Sequence, residues 1–162
     1  MMQDYNKMAT CGVLVEDTVR GRIRLSPTGK ALATYQMCET DRRRFLRGAS
    51  LLSQLFFAAG AKRVVVPFEH KPLLESMDEA IALENAPITL RSMEVATVHI
   101  MGTAAMGGDE RRHVVDPWGA HYGTEGLYIA DASLFPSPVA VNPMESVMVL
   151  ATRVAQRILD AG

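Results

Sequence analysis

The sequence predicts an α+β domain in which a mostly antiparallel sheet is flanked by helices and a long helix ends the chain. Three observations support this fold class. Short segments of alternating apolar residues with turn signals occupy residues 11–38. Apolar residues then recur every three or four positions over residues 41–60. A wider apolar stripe covers residues 144–159, and it needs a large surface to pack against.

The composition is that of an ordinary globular protein. The chain has 162 residues, of which 48% are hydrophobic and 22% charged, so we expect residues 1–162 to form a single domain. The net charge of -1 gives no electrostatic basis for binding nucleic acid or an anionic membrane surface. No secretory signal, membrane span or C-x-x-C pair is present, which favours a cytoplasmic location.

The first predicted elements are short strands. Residues 12–17 and 22–25 carry apolar side chains at alternating positions, which is typical of half-buried strands. The turn sequence at residues 26–30 contains Pro and Gly, and residues 31–37 then return along the chain. We therefore expect residues 22–25 and 31–37 to form an antiparallel hairpin.

Residues 41–60 form the first predicted helix. Thr40 or Asp41 is expected to cap its start, and Gly60 is a suitable residue just after its end. The three arginines at residues 42–44 oppose the helix dipole, and we favour a solvated face for them over an acidic neighbour. The apolar face consists of Phe45, Ala49, Leu52, Phe56 and Ala59.

Shorter elements follow. Residues 63–67 are expected to form a buried strand, and Ser76 and Glu79 have the spacing of a capping box at the start of a short helix. Residues 94–100 and 126–131 are β-branched or alternating and are expected to be strands.

The last helix has the clearest start signal. Asn142 is a good N-cap residue, and Pro143 suits the first helical position because its missing N–H costs nothing there. Its apolar stripe consists of Met144, Val147, Met148, Ala151, Val154, Ala155, Ile158 and Leu159.

His99 opens the stretch "HIMGTAAMGG" at the end of a predicted strand. A lone histidine there is more often structural than catalytic, but the glycines that follow let the backbone approach a flat group closely. The spacing of Gly102 and Gly107 resembles a phosphate-binding loop. Gly108 and Asp109 stand where its lysine and hydroxyl would be, so we reject that interpretation. The histidines match no metal-ligand spacing, and we expect no metal.

The motifs from "HIMGTAAMGG" through "HVVD", "GLYIADASLFP" and "NP" to the final helix resemble the C-terminal signature of the glucose–methanol–choline (GMC) flavin oxidoreductases. The upstream stretch "GRIRLSPTGKALATYQM" and the helix after it resemble the family's substrate-binding region. The resemblance implies that residues 11–98 form the substrate-domain sheet and helices. It also implies that residues 99–162 form a flavin-facing active-site tail.

The resemblance implies a reaction and two catalytic residues. His99 matches the family histidine that takes the hydroxyl proton of an alcohol as hydride passes to flavin N5. Asn142 matches the second active-site position, which hydrogen-bonds the substrate oxygen. The implied enzyme is an FAD-dependent, choline dehydrogenase-like oxidoreductase that acts on CH–OH groups.

Five residues are implied in binding FAD. Asp131 matches the acidic residue near the ribityl–pyrophosphate region. Pro143 and Met144 start the helix whose N-terminal end faces the N1–C2 edge of the flavin. Gly102 and Thr103 are expected to lie close to the ring.

The glycine fingerprint of an FAD-binding Rossmann domain is absent. We therefore expect the chain to be part of a larger or split enzyme, inactive and empty of FAD when alone. Its expected partners are the N-terminal FAD-binding half, in cis or in trans, an alcohol substrate, and other copies through exposed apolar faces. A non-catalytic association module or a truncated remnant remains the alternative. The substrate and the electron acceptor stay open.

Overall fold

The computed structural model describes residues 2–69 and 72–161, and it confirms the α+β class with small antiparallel sheets and a long C-terminal helix. The chain divides into two compact units, Met1–Arg20 with Tyr35–Val95, and Gly21–Thr34 with Ala96–Gly162. That residues 1–162 form one domain stays a prediction. The helices and strands are β1 (Arg22–Leu25), β2 (Ala31–Thr34), α1 (Glu39–Ala58), β3 (Val64–Val65), β4 (Leu73–Leu74), α2 (Met77–Ala82) and α3 (Met144–Ala161).

α1 begins two residues earlier than predicted. Its N-cap residue is Cys38, whose side chain makes no capping hydrogen bond, so the predicted caps Thr40 and Asp41 are wrong. Asp41 is fully buried, and its carboxylate accepts hydrogen bonds from the N–H (3.1 Å) and the hydroxyl (3.0 Å) of Thr18. The Asp41 carboxylate therefore binds Thr18, which is distant in sequence, and does not cap the start of the helix.

The arginines of the first turn have an acidic neighbour. Arg42 and Arg43 lie 2.6 and 3.2 Å from the Glu39 carboxylate, and Arg44 lies 3.5 Å from that of Asp41, so a purely solvated face is wrong for all three. Glu39 sits one turn before them, and its negative charge offsets the unfavourable position of the arginines at the helix start. At the other end the prediction is confirmed, because Gly60 has a φ of 93° directly after the C-cap residue.

The core of the first unit lies under α1. Of the predicted apolar face, Phe45, Ala49 and Phe56 pack against this core and are partly buried, whereas Ala59 is exposed. Ser50 on the buried side donates to the carbonyl of Ala80 at 2.7 Å. The strand predicted at residues 63–67 forms only over Val64–Val65 (β3), where Val64 is buried and Val65 exposed, and it pairs with β4. Ser76 caps α2 by accepting the N–H of Glu79, as predicted. The buried core residues are Leu46, Val64, Val66, Phe68, Leu74, Ala80, Leu83, Ile88 and Met93.

The predicted hairpin forms, with Arg22 opposite Thr34 and Leu25 opposite Ala31. Its second strand ends at Thr34 rather than at residue 37, and every residue of both strands is exposed.

Three predicted strands are wrong. Residues 12–17, 94–100 and 126–131 form no ladder in the described part of the chain, apart from an isolated bridge between Ala120 and Tyr128. An alternating pattern shows that a segment has one apolar and one polar face. A strand also needs the backbone of a neighbouring segment as its hydrogen-bond partner. No helix among the described residues has the length and apolar character to cross a bilayer.

Candidate functional site

The glycine-rich segment that follows His99 lies in an irregular ladder in the second unit. On one edge its backbone N–H groups donate to the segment that carries Asp131. The first of these bonds runs from Gly102 to the carbonyl of Ala132 (3.3 Å), and another runs from Met106 to the carbonyl of Leu134 (3.0 Å). The structure therefore brings together two of the motifs that the sequence assigned to the flavin.

The other edge of the same segment is also bonded. Gly107 donates its N–H to the carbonyl of Val115 (3.1 Å), and Val114 donates to the carbonyl of Ala105 (3.2 Å). The phenol of Tyr122 donates to the carbonyl of Gly107 at 2.6 Å. The segment is thus a central element with hydrogen bonds on both sides.

Gly107 lies close to the imidazole ring of His113, which is part of this chain and not of a cofactor. A Cβ atom on Gly107 would lie 2.4 Å from the imidazole of His113, whose Nδ1 is 2.9 Å from the carbonyl oxygen of Asp109. Gly102 is more exposed than Gly107 and has a φ of 78° that favours glycine, and a Cβ there would lie 3.1 Å from the carbonyl oxygen of Phe135. Of the two, Gly102 is the better candidate for a close approach to a cofactor. Thr103 beside it is also exposed.

His99 lies in a coil segment and not at the end of a strand. Its backbone N–H donates to the hydroxyl of Thr97 at 3.2 Å. Its side chain is half-buried, while the flanking Val98 and Ile100 are 86% and 67% exposed. The imidazole forms no hydrogen bond with any described residue, which leaves both ring nitrogens available for an external group.

Asp131 caps a 3₁₀ turn at Ala132–Leu134. Its Oδ1 accepts hydrogen bonds from the hydroxyl and the N–H (2.8 Å) of Ser133. These two bonds, the hydroxyl first, hold the pKa of the exposed carboxyl below its usual 3.8. Oδ2 accepts no hydrogen bond from the described residues, so one oxygen remains for an external donor.

Asn142 precedes the helix that it was expected to cap. α3 begins at Met144, and the carbonyl of Pro143 accepts the first intrahelical bond, from Val147 at 2.8 Å. The predicted N-cap and N1 positions are therefore wrong by one residue. The N–H groups of residues 144–146 have no acceptor among the described residues, and their dipoles point out of the helix start. Asn142 is exposed and makes no side-chain hydrogen bond with described residues.

Ala140 shapes the approach to α3. Its φ is 56°, and no other non-glycine residue in the described part of the chain has a positive φ. The left-handed conformation costs an L-residue about 1 kcal/mol, so the surrounding backbone holds this turn against its local preference.

Sequence reasoning missed three residues that hold this region, namely His113, Tyr122 and Ser133. The D-x-S spacing of Asp131 and Ser133 is a recognisable side-chain turn signal. No sequence signal indicated the role of Tyr122, because its bond to Gly107 joins segments 15 positions apart. His113 is held by a local turn, since its N–H donates to the carbonyl of Asp109 at 3.0 Å.

Two depressions on the surface of the described residues contain no predicted site residue. One, of about 580 Å³, lies beside Arg42 and Arg91, and another, of about 470 Å³, lies beside His113 and His121. No described group of three or more His, Cys, Asp and Glu side chains is placed to hold a metal ion. His99 and Asn142 share no hydrogen bond in the described part of the chain.

Comparison with known proteins identifies relatives. The sequence model described as GMC oxidoreductase matches residues 17–151. An uncharacterised GMC-type oxidoreductase of Mycobacterium tuberculosis is 35% identical over 93% of this chain. A 5-(hydroxymethyl)furfural oxidase of Methylovorus is 36% identical over 68% of the chain, and a long-chain-alcohol oxidase of Arabidopsis thaliana is 27% identical over 97%.

The matched region is a small part of each relative. The chain spans 24% of the Mycobacterium tuberculosis protein, 21% of the furfural oxidase and 22% of the long-chain-alcohol oxidase. Most of each relative therefore has no counterpart in this chain.

Proposed function

This chain belongs to the GMC oxidoreductases, and we propose that it supplies the substrate-side residues of an FAD-dependent enzyme that oxidises the CH–OH group of an alcohol. Two relatives are named as oxidases of a long-chain alcohol and of a hydroxymethyl compound, which supports this substrate class. The observation that carries the proposal is the half-buried imidazole of His99, whose ring nitrogens have no partner among the described residues.

The residues present fit an FAD molecule held largely by another part of the enzyme. The unbonded N–H groups at the start of α3 suit the negatively polarised N1–C2 edge of a flavin. Gly102 is exposed and has no side chain to obstruct a ring, and Thr103 lies next to it. Asp131 keeps one carboxylate oxygen free of the described residues, so it can accept a hydroxyl of the ribityl chain.

The chemistry of this chain's residues follows from their donors and acceptors. Bound FAD would supply the acceptor for the hydride of the alcohol carbon. A neutral His99 would accept the hydroxyl proton, since an imidazole has an acceptor nitrogen near neutral pH. Asn142 would donate an amide hydrogen bond to the substrate oxygen and so orient the alcohol. Pro143 and Met144 would place the helix start beside the flavin.

The partner we propose is the FAD-binding half of the enzyme, in cis or in trans. One face of α3 supports this, because Met144, Met148 and Leu159 are 70%, 55% and 74% exposed. Surfaces of this kind are covered in assembled proteins. The isolated chain would hold no FAD and would self-associate through this face. The free Cys11 and Cys38 are consistent with a reducing, cytoplasmic location.

The experiment combines this chain with a separately produced FAD-binding polypeptide and follows bleaching of the flavin by alcohols in the absence of oxygen. His99→Ala should abolish bleaching while flavin stays bound, and His121→Ala is the matched control. Bleaching at the normal rate in the His99 variant would exclude the proposed proton acceptor.

Self-association is tested separately. Gel filtration with light scattering of the isolated chain should show species larger than a monomer. Replacing Met148 and Leu159 by Gln should shift the population toward the monomer, because both side chains are on the exposed face. A monomer at all concentrations in the unmodified chain would contradict the proposed association.

A further inference from the structure

Residues 12–19 have the burial pattern of a strand without forming one. Their side chains alternate between exposed and half-buried, with Val13, Val15, Asp17 and Val19 on the half-buried side. Within the described parts of the chain, the segment has no backbone-to-backbone hydrogen bond. A strand-like segment with unbonded backbone groups is a template for another strand.

Two contacts show which edge of the segment is free. The carbonyl of Glu16 accepts a hydrogen bond from Arg44 on α1 (3.0 Å), and the N–H of Thr18 donates to Asp41 on α1 (3.1 Å). In an extended chain, the N–H and C=O of one residue point to the same side, and those of the next residue point to the opposite side. Residues 12–17 contain no bend, so the backbone groups of Glu16, and with them those of Leu14, are directed toward α1.

The odd-numbered residues consequently direct their backbone groups away from α1. Val13, Val15 and Asp17 present three donors and three acceptors along this free edge. The edge is also held in place, because the side chain of Val13 packs directly against Gly48 of α1. A Cβ atom on Gly48 would lie 2.4 Å from the Val13 side chain. An edge that is already ordered loses little conformational entropy on pairing.

We propose that this free edge pairs with an extended strand from the flavin-binding part of the enzyme. The inference rests on the proposed function. The size of the matched relatives supports this occupant, because the chain spans only 24% of the Mycobacterium tuberculosis protein. The described ladders support it as well, since two-stranded sheets as short as β1–β2 and β3–β4 are marginal unless further strands or packing complete them.

The test uses the part of the Mycobacterium tuberculosis relative that this chain does not match, produced as a separate polypeptide and loaded with FAD. Binding of the intact chain is measured by light scattering, and amide hydrogen exchange is followed by NMR. The amides of residues 13, 15 and 17 should exchange rapidly in the isolated chain and become protected in the complex.

Two proline variants distinguish the edges. Val15→Pro removes a donor from the free edge and should weaken binding about tenfold, whereas Leu14→Pro removes a donor that faces α1 and should weaken it less than threefold. Equal weakening by the two variants, or a complex in which the three amides stay unprotected, would overturn the strand inference alone.

Two further outcomes are distinct. If no complex forms, the proposed partner fails and the strand inference fails with it. If the three amides become protected in the isolated chain as its concentration rises, the edge pairs with a second copy, which also overturns the proposed occupant.

Discussion

The imidazole of His113 occupies the space in which a side chain on Gly107 would begin. The distance from an ideal Cβ on Gly107 to the ring is 2.4 Å, which is shorter than any real contact of this kind. The same glycine offers its carbonyl to the phenol of Tyr122. The His113 ring therefore disfavours any side chain at residue 107, independently of any cofactor.

Gly107→Ala should destabilise the second unit by about 1–3 kcal/mol, because either the ring or the backbone must move. The neighbouring Gly108→Ala is a matched control, since nothing lies within 4 Å of its Cβ position. Urea unfolding of both variants measures the difference. Equal stability of the two variants would show that the His113 ring moves aside without cost.

Thr18→Ala should destabilise the first unit by about 1–3 kcal/mol. The variant keeps the N–H bond to Asp41 but removes the hydroxyl that donates to the same fully buried carboxylate. Thr40→Ala is the control, because the structure gives Thr40 no capping role. Thermal unfolding distinguishes the two, and a larger loss at Thr40 would restore the cap that the sequence indicated.

Asp131 should remain ionised to a lower pH than an ordinary aspartate. Ser133 hydrogen-bonds the charged form, so the folded-state pKa lies below 3.8. The associated stability is present above the unfolded pKa and is lost as pH falls through the folded value. Ser133→Ala should raise the pKa, as measured by NMR titration of the carboxyl. Ser137→Ala, at an exposed serine, should leave it unchanged.

Tyr35 should ionise only near pH 12. Partial burial is the largest cause of its raised pKa, followed by the Asp17 charge and the hydrogen bond to Asp17. The stabilisation is complete below pH 10 and is lost as pH rises toward 12, because the folded chain holds the proton more tightly. Asp17→Asn should lower the pKa in an ultraviolet titration, and Asp78→Asn should not.

The sequence predicted the elements whose signals are local. Gly60 ends α1 and Ser76 caps α2 because each acts on backbone within a few residues. The strands predicted at residues 94–100 and 126–131 do not form, since ladder pairing depends on residues far away in sequence. Asp41 failed as a cap for the same reason, because its partner Thr18 lies 23 positions earlier.

The candidate site shows the same division. The family motifs identified Asp131 and Gly102 as members of one site, and the ladder places the segments that carry them side by side. The contact of Tyr122 with Gly107 arises only when residue 107 pairs with the segment 114–122, and no local pattern specifies that pairing. The positions of His99 and Asn142 relative to a substrate stay predictions.

Hydrogen bonds on both edges hold the segment from Gly102 to Gly107 in a fixed position within its unit. A segment in this position cannot act as a gate, since opening it would break bonds to residues 132–134 and 114–115 together. If the proposed function is correct, movement that admits a substrate would arise elsewhere. Within this unit, the coil around the proposed proton acceptor His99 is the better candidate, because the hydrogen bond described for its backbone runs to the hydroxyl of Thr97.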